Sequence, residues 1–264
     1  MKILFIGDIV GRPGRTAVGQ ILPDLKKDLK IDAVFANGEN LAHGRGVTKA
    51  TLDEVLSYGV DYFTGGNHLF WHQGFSEELK NLPLPILRPA NYPAEVPGKG
   101  FSWMDLGKKG KVLLINLEGR VFLNRPVNCP FRTIDRILEE ELAREKPSAI
   151  IVDFHAEATS EKEALGFYLD GRVSAVIGTH THVPTADARI LPKGTAYVTD
   201  AGMVGTLNSV LGVKKEIIIE NLTLPLPARF EWSEDKPLTF NAVLIEVKSG
   251  SRANQIERVD RLIE

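Results

Sequence analysis

Short apolar runs recur along the chain and predict strands that alternate with helices. The first run, Lys2–Gly7, is continuously apolar, which predicts a strand buried on both faces. Apolar residues of Arg15–Lys30 recur at helical spacing, and Pro23 should kink this helix or begin a new turn. Thr48 is the expected N-cap of a helix over Thr48–Tyr58. Further strands are predicted at Asp32–Asn37, Asp61–Thr64, Lys111–Leu117, Ala149–His155, Ser174–Thr179 and Thr195–Thr199, and further helices at Trp71–Asn81, Phe131–Glu145 and Lys162–Leu169.

The C-terminal part of the chain has a different pattern. Leu238–Lys248 and Gln255–Leu262 alternate apolar and polar residues, as strands of an antiparallel sheet do. The segment Leu82–Gly110 is rich in proline and glycine and predicts loops with short strands. Two mixed sheets packed face to face, with helices outside, accommodate both halves. We therefore predict an α/β fold in a single domain spanning residues 1–264.

Composition allows a large core and argues against a nucleic-acid groove. The chain has 264 residues, 43% of them hydrophobic, which is enough for a core without disulfides. Lys and Arg number 32 against 34 Asp and Glu, and no basic run is present. Binding to duplex nucleic acid through an electrostatic stripe is therefore not expected.

Cysteine usage and apolar run length bear on the compartment. Cys129 is the only cysteine, so an internal disulfide is impossible, which suits a reducing compartment. No apolar stretch approaches the roughly 18 residues of a membrane span. The N-terminal stretch MKILFIGDIVGRPGR is typical of a buried strand and not of a leader. The expected location is cytoplasmic, without membrane contact.

Polar side chains follow five of the predicted strands directly. Strands joined by right-handed crossovers end at one edge of a sheet, so these side chains should meet there. Neighbouring glycines permit the tight turns that such convergence needs. The strand ends read Gly7-Asp8, Asn37-Gly38-Glu39-Asn40, Gly65-Gly66-Asn67-His68, Asp153-Phe154-His155 and Gly178-Thr179-His180-Thr181-His182.

The chemistry of these groups predicts a metal site. Carboxylate, amide oxygen and imidazole nitrogen suit manganese, iron, zinc or similar divalent ions better than a calcium cage. Seven such ligands are too many for one catalytic ion, and they fit two ions about 3.5–4 Å apart that share a carboxylate. The candidate ligands are Asp8, Glu39, Asn40, Asn67, His155, His180 and His182.

Each of these residues alone has a simpler explanation. Asp8 could cap the next helix, Asn67-His68 could form a turn, and His155 could be a hydrogen-bonded core residue. His180 and His182 are a stronger signal, because alternate residues of an extended segment point the same way.

Several other residues receive only structural roles from the sequence. His43 is expected to be solvated and within reach of a substrate, and His72 to lie on the surface. Phe230 and Trp232 are expected in the core, not as a base-stacking platform, as are Phe101 and Trp103. Cys129 is expected in a loop, and Arg12 and Arg15 to solvate a helix N-terminus in preference to binding phosphate.

The strand-end motifs occur in a recognisable order along nearly the whole chain. They read GDIVGRPGR at 7–15, NGEN at 37–40, GGNHLFW at 65–71, DFHAEATSEK at 153–162 and GTHTHVPTAD at 178–187. In this order they resemble the metallophosphoesterase (calcineurin-like) superfamily, and most closely its YmdB-like branch. The chain departs from the wider superfamily at Val10, which replaces a histidine, at Glu39, which replaces the bridging Asp, and at Leu69, which replaces an acidic residue.

The resemblance implies a fold and a role for each motif residue. The family fold is a four-layer sandwich, two mixed β-sheets flanked by helices. Asn40 takes the place of the missing histidine, Glu39 bridges the ions, and His68 is the general acid. The resemblance assigns one ion to Asp8, Glu39, Asn40 and His182, and the other to Glu39, Asn67, His155 and His180.

The same resemblance implies a hydrolase that acts on small phosphodiesters. The expected substrates are cyclic nucleotides, 2',3'- or 3',5'-cyclic, attacked by a metal-bound hydroxide. Iron or manganese are the first expectation for the two divalent ions, with zinc or magnesium next. A homo-oligomer is expected at family level, and no residue that binds the substrate is assigned.

Two other functions remain open at the level of sequence. A phosphomonoesterase or nucleotidase of the same fold would carry the same motifs. A non-catalytic regulatory protein could sense a metal or a nucleotide, although it would not need the general acid His68 beside a full ligand set. A structural α/β protein with incidental polar strand ends would bind no stoichiometric metal.

Overall fold

The computed structural model describes residues 1–248 and 252–264 and contains two β-sheets and six α-helices within them. The helices are α1 (Gly11–Asp28), α2 (Lys49–Ser57), α3 (Phe75–Asn81), α4 (Pro130–Leu142), α5 (Thr159–Tyr168) and α6 (Lys215–Thr223). The strands are β1 (Lys2–Ile9), β2 (Ala33–Asn37), β3 (Tyr62–Thr64), β4 (Phe101–Asp105), β5 (Lys111–Glu118), β6 (Ala149–His155), β7 (Ala175–Thr179), β8 (Arg189–Ile190), β9 (Ala196–Val198), β10 (Met203–Thr206), β11 (Leu238–Val247) and β12 (Ala253–Ile263).

The first sheet has the strand order β12-β11-β10-β1-β2-β3, with β11 also pairing with β1. Strands β1, β2, β3 and β10 are parallel to one another, and β11 runs antiparallel to its neighbours β1, β10 and β12. The predicted antiparallel C-terminal strands are therefore confirmed. Strand β12 is the edge strand and is largely exposed, whereas β11 is buried along almost its whole length, so the alternation in β11 does not mark a solvent-facing side.

The second sheet has the order β4-β5-β6-β7-β9-β8. Its central strands β5, β6, β7 and β9 are parallel, and antiparallel strands β4 and β8 close its two edges. In both sheets, the carboxyl ends of the parallel strands lie at one edge. That edge is where the polar motifs of the sequence lie.

Successive residues of the buried strands point to opposite faces of their sheet, and their side chains form three layers of packing in the interior. In β1, Ile3 and Phe5 pack between the two sheets, while Leu4 and Ile6 pack against helices α1 and α2. The second sheet likewise directs alternate residues toward the first sheet and toward α4 and α5. The order helices, sheet, sheet, helices is the predicted four-layer sandwich, and the predicted fold class is confirmed.

Most predicted elements occur within a few residues of their expected bounds. Thr48 caps α2 as predicted, because its side chain accepts from the Thr51 backbone N–H and Thr51 reciprocates. Helix α1 begins at Gly11, earlier than predicted, and continues through Pro23. Within the described residues, no helix is both long enough and apolar enough to cross a membrane.

The predicted helix Trp71–Asn81 was too long, and the structure gives a physical reason. Gly74 has φ 93°, a left-handed conformation that a continuing helix cannot contain, and α3 begins only at Phe75. The pattern also failed to predict β8, β10 and α6. None of the residues of α6 is buried, so its apolar residues Ile217, Ile218, Ile219 and Leu222 do not belong to the core.

Packing between the two sheets predicts how a core substitution changes the free energy of unfolding. Phe5→Ala removes a side chain with 0% exposure and should lower the free energy of unfolding by about 3–5 kcal/mol through lost burial and a residual cavity. Urea denaturation measures this change. Leu222→Ala, at a position 80% exposed, is the control and should stay within about 0.5 kcal/mol. A Phe5→Ala protein as stable as the control would contradict this packing.

Candidate metal centre

The predicted ligands meet where the carboxyl ends of the two sheets face each other. The first sheet contributes side chains at the ends of β1, β2 and β3, and the second sheet contributes those at the ends of β6 and β7. Both sheets are therefore needed to assemble the cluster. Its members are Asp8, Glu39, Asn40, Asn67, His68, His155, His180 and His182.

Asp8 places a carboxylate in the interior without satisfying both oxygens. Its side chain is 0% exposed, and Oδ2 accepts the backbone N–H of His180 at 3.1 Å. Oδ1 is buried with no hydrogen-bond partner among the described residues, and His182 Nε2 lies 3.6 Å from it. An unsatisfied buried carboxylate oxygen is costly unless a further group binds it, and a cation is such a group.

Glu39 lies at the centre of the cluster and is also 0% exposed. Its Oε2 accepts the backbone N–H of His68 at 2.8 Å. Its Oε1 accepts from the Asn40 amide at 3.1 Å and lies 3.3 Å from His155 Nε2. The carboxylate thus faces both halves of the cluster, which is the position that a shared ligand requires.

Three ligand atoms crowd around the Nε2 atom of His155. Asn67 Oδ1 lies 2.9 Å from it and His180 Nδ1 lies 3.1 Å from it, in addition to Glu39. The ligand atoms of Glu39, His155 and His180 all lie within 4.8 Å of one another, so these residues could hold a metal ion. Ligands about 2.1 Å from one ion and at right angles to each other are about 3 Å apart, so this crowding suits coordination.

Asn40 and His182 lie on the other side of Glu39. The Asn40 amide nitrogen lies 3.1 Å from Glu39 Oε1 and 3.4 Å from His182 Nε2. The amide oxygen faces His68 Nδ1 instead, at 3.0 Å. A half-turn of this amide would direct its oxygen toward His182, so the ligand role of Asn40 stays a prediction.

The loop containing the two final histidines is not the extended segment that the sequence suggested. Strand β7 ends at Thr179, and His180 and His182 have φ angles of 93° and 62°. Residues other than glycine rarely adopt such angles, and each costs about 1–3 kcal/mol. The two imidazoles converge because of these left-handed turns, so the argument from alternation was wrong even though the side chains do meet.

Asp200 holds that strained loop in place. Its Oδ2 accepts the Thr181 backbone N–H at 3.1 Å and the Thr181 hydroxyl at 2.6 Å. Lys162 of α5 pairs with the same oxygen at 2.9 Å, and both side chains are almost fully buried. Asp200 follows strand β9, so the strand-end signal used for the other residues could have found it. Lys162 has no such signal, because a lysine within a helix is ordinarily exposed.

A hydrogen-bonded chain supports His155 from behind. Its Nδ1 lies 3.0 Å from the hydroxyl of Thr179, which donates to Asp153 Oδ1 at 2.7 Å. Asn37 donates to the other Asp153 oxygen at 3.1 Å. Burial raises the pKa of Asp153 to about 7 against the opposing effect of His155. This chain fixes the ring so that Nε2 faces the cluster.

The electrostatics of the cluster favour a cation. Burial opposes the ionisation of Glu39, but His155 and His68 outweigh it and hold its pKa well below the usual value. Burial also lowers the pKa of His155, but Glu39 and Asp8 raise it to about 9. Burial and the neighbouring His155 lower the pKa of His180 to about 3. The ionised Glu39 carboxylate and the neutral His180 imidazole are in the protonation states that a metal ion binds, whereas His155 must release a proton to bind one.

His68 borders the cluster and the solvent. Its side chain is 23% exposed, and Nδ1 lies 3.1 Å from Glu39 Oε1 in addition to the Asn40 oxygen. Trp71 contacts it edge to face, with the ring centroids 5.9 Å apart. When Nδ1 carries a hydrogen to these oxygens, Nε2 is the nitrogen that can exchange a proton with a bound molecule.

Sequence reasoning missed two acidic residues that border the cluster. Glu157 lies 2.9 Å from His180 Nε2 and is half exposed. Glu118 ends β5 beside His155 and is 0% exposed, and Tyr92 donates its hydroxyl to one of its oxygens. Burial raises the pKa of Glu118 above its usual value. Glu118 follows an apolar strand, so the strand-end signal applied to it as well.

Other predictions for polar residues had mixed outcomes. Arg12 pairs with Glu234 at 2.5 Å and Arg15 with Glu54 at 2.6 Å, so both form ion pairs. His43 is exposed as predicted. His72 is only partly exposed, and its Nε2 lies 3.3 Å from the Ala42 carbonyl oxygen.

The prediction that Phe230 and Trp232 belong to the core was wrong. Phe230 is 38% exposed, and both rings line the cavity above the cluster. Trp232 lies flat against Gly44, where a β-carbon would approach its ring to 2.1 Å. The sequence could not show this, because the rings are almost two hundred positions from that glycine and pack on a loop, not on a periodic face.

Solved structures define the class of this fold. A phosphatase from Mycoplasma pneumoniae matches with a TM-score of 0.90 and 33% identity, covering 99% of this chain and 93% of that one. A hypothetical protein from Thermus thermophilus matches with a TM-score of 0.92 and 42% identity over the whole of both chains. Two mixed sheets flanked by helices are thus the fold of the Mycoplasma phosphatase as well.

The chain belongs to the family of YmdB-like proteins, which residues 4–259 match. A 2',3'-cyclic-nucleotide 2'-phosphodiesterase of Bacillus subtilis (strain 168) is 45% identical over 260 residues, covering 98% of this chain and 96% of that protein. The family resemblance predicted from the motifs is therefore confirmed.

The support behind His155 generates a prediction for metal affinity. Thr179→Val keeps the shape of the side chain but removes the hydroxyl between His155 and Asp153, so the ring should lose its fixed orientation. Metal affinity should fall about 10- to 100-fold, as measured by competition with a chelator. Thr223→Val, at an exposed position of α6, is the control and should bind metal as the wild type does. Unchanged affinity in Thr179→Val would show that the chain does not orient the ligand.

Proposed function

We propose that the protein is a phosphodiesterase that uses two divalent metal ions to hydrolyse small phosphodiesters, with 2',3'-cyclic nucleotides as substrates. The observation that carries the proposal is the buried cluster itself. Carboxylate, amide and imidazole groups from both sheets face one another there, and the buried Asp8 Oδ1 has no hydrogen-bond partner within the described residues. The 45% identical relative that bears the name of a 2',3'-cyclic-nucleotide 2'-phosphodiesterase supports the choice of substrate.

The donor set fits a pair of divalent ions, with iron or manganese preferred and zinc or magnesium as further candidates. Bound there, such ions would activate a water molecule and neutralise charge on the phosphate. Glu39 is the proposed shared ligand, since its Oε1 lies 3.1 Å from the Asn40 amide nitrogen in one set and 3.3 Å from His155 Nε2 in the other. The proposed sets are Asp8, Glu39, Asn40 and His182 for one ion, and Glu39, Asn67, His155 and His180 for the other.

His68 is the proposed general acid. Glu39 and Asn40 hold its Nδ1, which leaves Nε2 to protonate the oxygen that departs from phosphorus. In a 2',3'-cyclic substrate, a water oxygen forms the new bond to phosphorus and the bond to O2' breaks. O2' receives the proton, and the product is a nucleoside 3'-phosphate.

One domain spanning residues 1–264 is part of the proposal, because both sheets contribute to one interior and one cluster. A cytoplasmic location and a homo-oligomeric state stay predictions.

A phosphomonoesterase of the same fold is the second candidate, favoured by the Mycoplasma structure that is titled a phosphatase. The two activities are separated by bis-p-nitrophenyl phosphate and p-nitrophenyl phosphate. Faster hydrolysis of the diester, together with that of 2',3'-cyclic AMP, is the result expected here. Hydrolysis of the monoester alone would favour the second candidate, and no hydrolysis of any of the three by metal-loaded protein would favour a sensing role.

Glu39→Gln tests the shared ligand. The amide keeps the size of the side chain but loses the negative charge between the ions, so hydrolysis of 2',3'-cyclic AMP should fall at least about 100-fold. Elemental analysis should show less metal per chain, while the circular dichroism spectrum should stay that of the wild type. Glu163→Gln, at a position 49% exposed, is the matched control and should keep both metal and activity. Full activity in Glu39→Gln would exclude the proposed bridge.

His68→Ala tests the general acid through the leaving group. The metal content should stay that of the wild type, and turnover of 2',3'-cyclic AMP should fall about 10²- to 10⁴-fold, because its alkoxide needs a proton. The rate with bis-p-nitrophenyl phosphate should fall less, since nitrophenolate leaves without protonation. Equal losses on both substrates would reject the acid role, and loss of the metal would make His68 a structural residue of the centre.

A further inference from the structure

A second cavity lies next to the cluster and shares a wall with it. The first cavity, of about 440 Å³, covers Glu39 and His68. The second, of about 510 Å³, is lined by Trp71 and His43. Arg45, Phe230 and Trp232 line both. Each volume is within the range of about 300–1,000 Å³ that is usual for small-molecule sites.

Arg45 brings a cation to the wall between the two cavities. Its guanidinium carbon lies 5.2 Å from the ring centroid of Trp71, 5.7 Å from that of Phe230 and 6.0 Å from that of Trp232. Its Nε–H is buried and has no hydrogen-bond partner in the described part of the chain. A buried donor on a cation calls for an acceptor or anion that the protein itself does not supply.

A tight turn with left-handed residues holds Arg45 at this position. His43, Gly44 and Gly46 all have positive φ angles, of 51°, 80° and 82°. The Ala42 backbone N–H donates to the Gly46 carbonyl at 2.9 Å and closes the turn. Because Gly44 has no side chain, the Trp232 ring can lie against its backbone. The aromatic wall is therefore packed onto the loop and is not a chance exposure of separate rings.

We propose that the second cavity binds the nucleobase of the substrate, with Arg45 between the base and the phosphodiester. This inference rests on the proposed function, because it places the phosphodiester at the metal centre. Every base has a π-face that stacks on aromatic rings and on guanidinium planes. The cationic Arg45 attracts the phosphate from the same wall. Trp71 also contacts His68, so a base stacked there lies beside the proposed acid.

The kinetic test compares a substrate with a base and one without. The substrates are 2',3'-cyclic AMP and ribose 2,3-cyclic phosphate, and the variants are Phe230→Leu and Trp71→Leu, each at an exposed position. The ratio of kcat/KM for the first substrate to that for the second should fall about tenfold in each variant, mainly through KM. Phe167→Leu, also exposed but outside both cavities, should keep the wild-type ratio.

Two variants of Arg45 are compared with the same pair of substrates. Arg45→Lys keeps the charge but loses the planar group, so it should lower the ratio while affecting the base-free substrate less than Arg45→Gln does. An unchanged ratio in the Phe230, Trp71 and Arg45 variants would overturn the proposal. Equal losses on both substrates would do the same, since they would assign these residues to the phosphate or to the fold.

A binding experiment separates this proposal from the proposed function. The chain has three tryptophans, of which Trp71 and Trp232 line the second cavity. Adenosine 3'-monophosphate should quench the tryptophan fluorescence of the purified protein, inorganic phosphate should not, and Phe230→Leu should weaken the nucleotide Kd about tenfold. Quenching without hydrolysis of any diester would uphold the base site while rejecting the phosphodiesterase. Hydrolysis of 2',3'-cyclic AMP without quenching, and with no change of the ratio in the variants, would reject the base site alone.

Discussion

The burial of two carboxylates at the seam between the sheets is the constraint on which the site depends. Asp8 and Glu39 have no exposure to solvent, so their charge must be compensated from within. In the protein alone, His155 and His182 provide that compensation, and one oxygen of Asp8 still lacks a partner among the described residues. At the proposed metal centre, divalent cations would complete this compensation, because they would bring positive charge that water cannot bring there. The two buried carboxylates are thus stable in the folded protein and would also contribute to the binding of metal ions.

Hydrogen-bonded groups behind the predicted ligands restrict the orientation of these side chains. Asp153 and Thr179 orient His155, and the buried pair of Lys162 and Asp200 holds the loop between His180 and His182. The positive φ angles of these two histidines show that the loop is held against its own conformational preference. The second sheet therefore does more than close the core. The strained turns that follow its strand β7 direct the imidazoles of His180 and His182 toward the cluster.

The parts of this arrangement that a periodic pattern encodes could be predicted from the sequence. Continuous apolar strands, each followed by polar residues, predicted both sheets and the convergence of Asp8, Glu39 and His155, because strand direction alone fixes that edge. Asp200 and Glu118 carried the same signal and were overlooked. Lys162, the left-handed turns at the histidines and the wall made by Phe230 and Trp232 depend on contacts between distant positions. No local pattern contains such contacts.

The residues that the sequence predicted and those that it did not predict lie in different parts of the fold and have different proposed roles. The predicted metal ligands stand at the ends of strands that are packed on both faces. The wall of the second cavity comes from the Gly44–Gly46 turn and from the segment around Phe230, both outside the sheets. Substitutions in this wall can change which molecule is recognised without moving a strand, whereas substitutions of the predicted ligands at the strand ends remove groups that the chemistry needs. The least predictable part of the chain is therefore the part that sets specificity, because loops free of the core are the segments that can change without loss of stability.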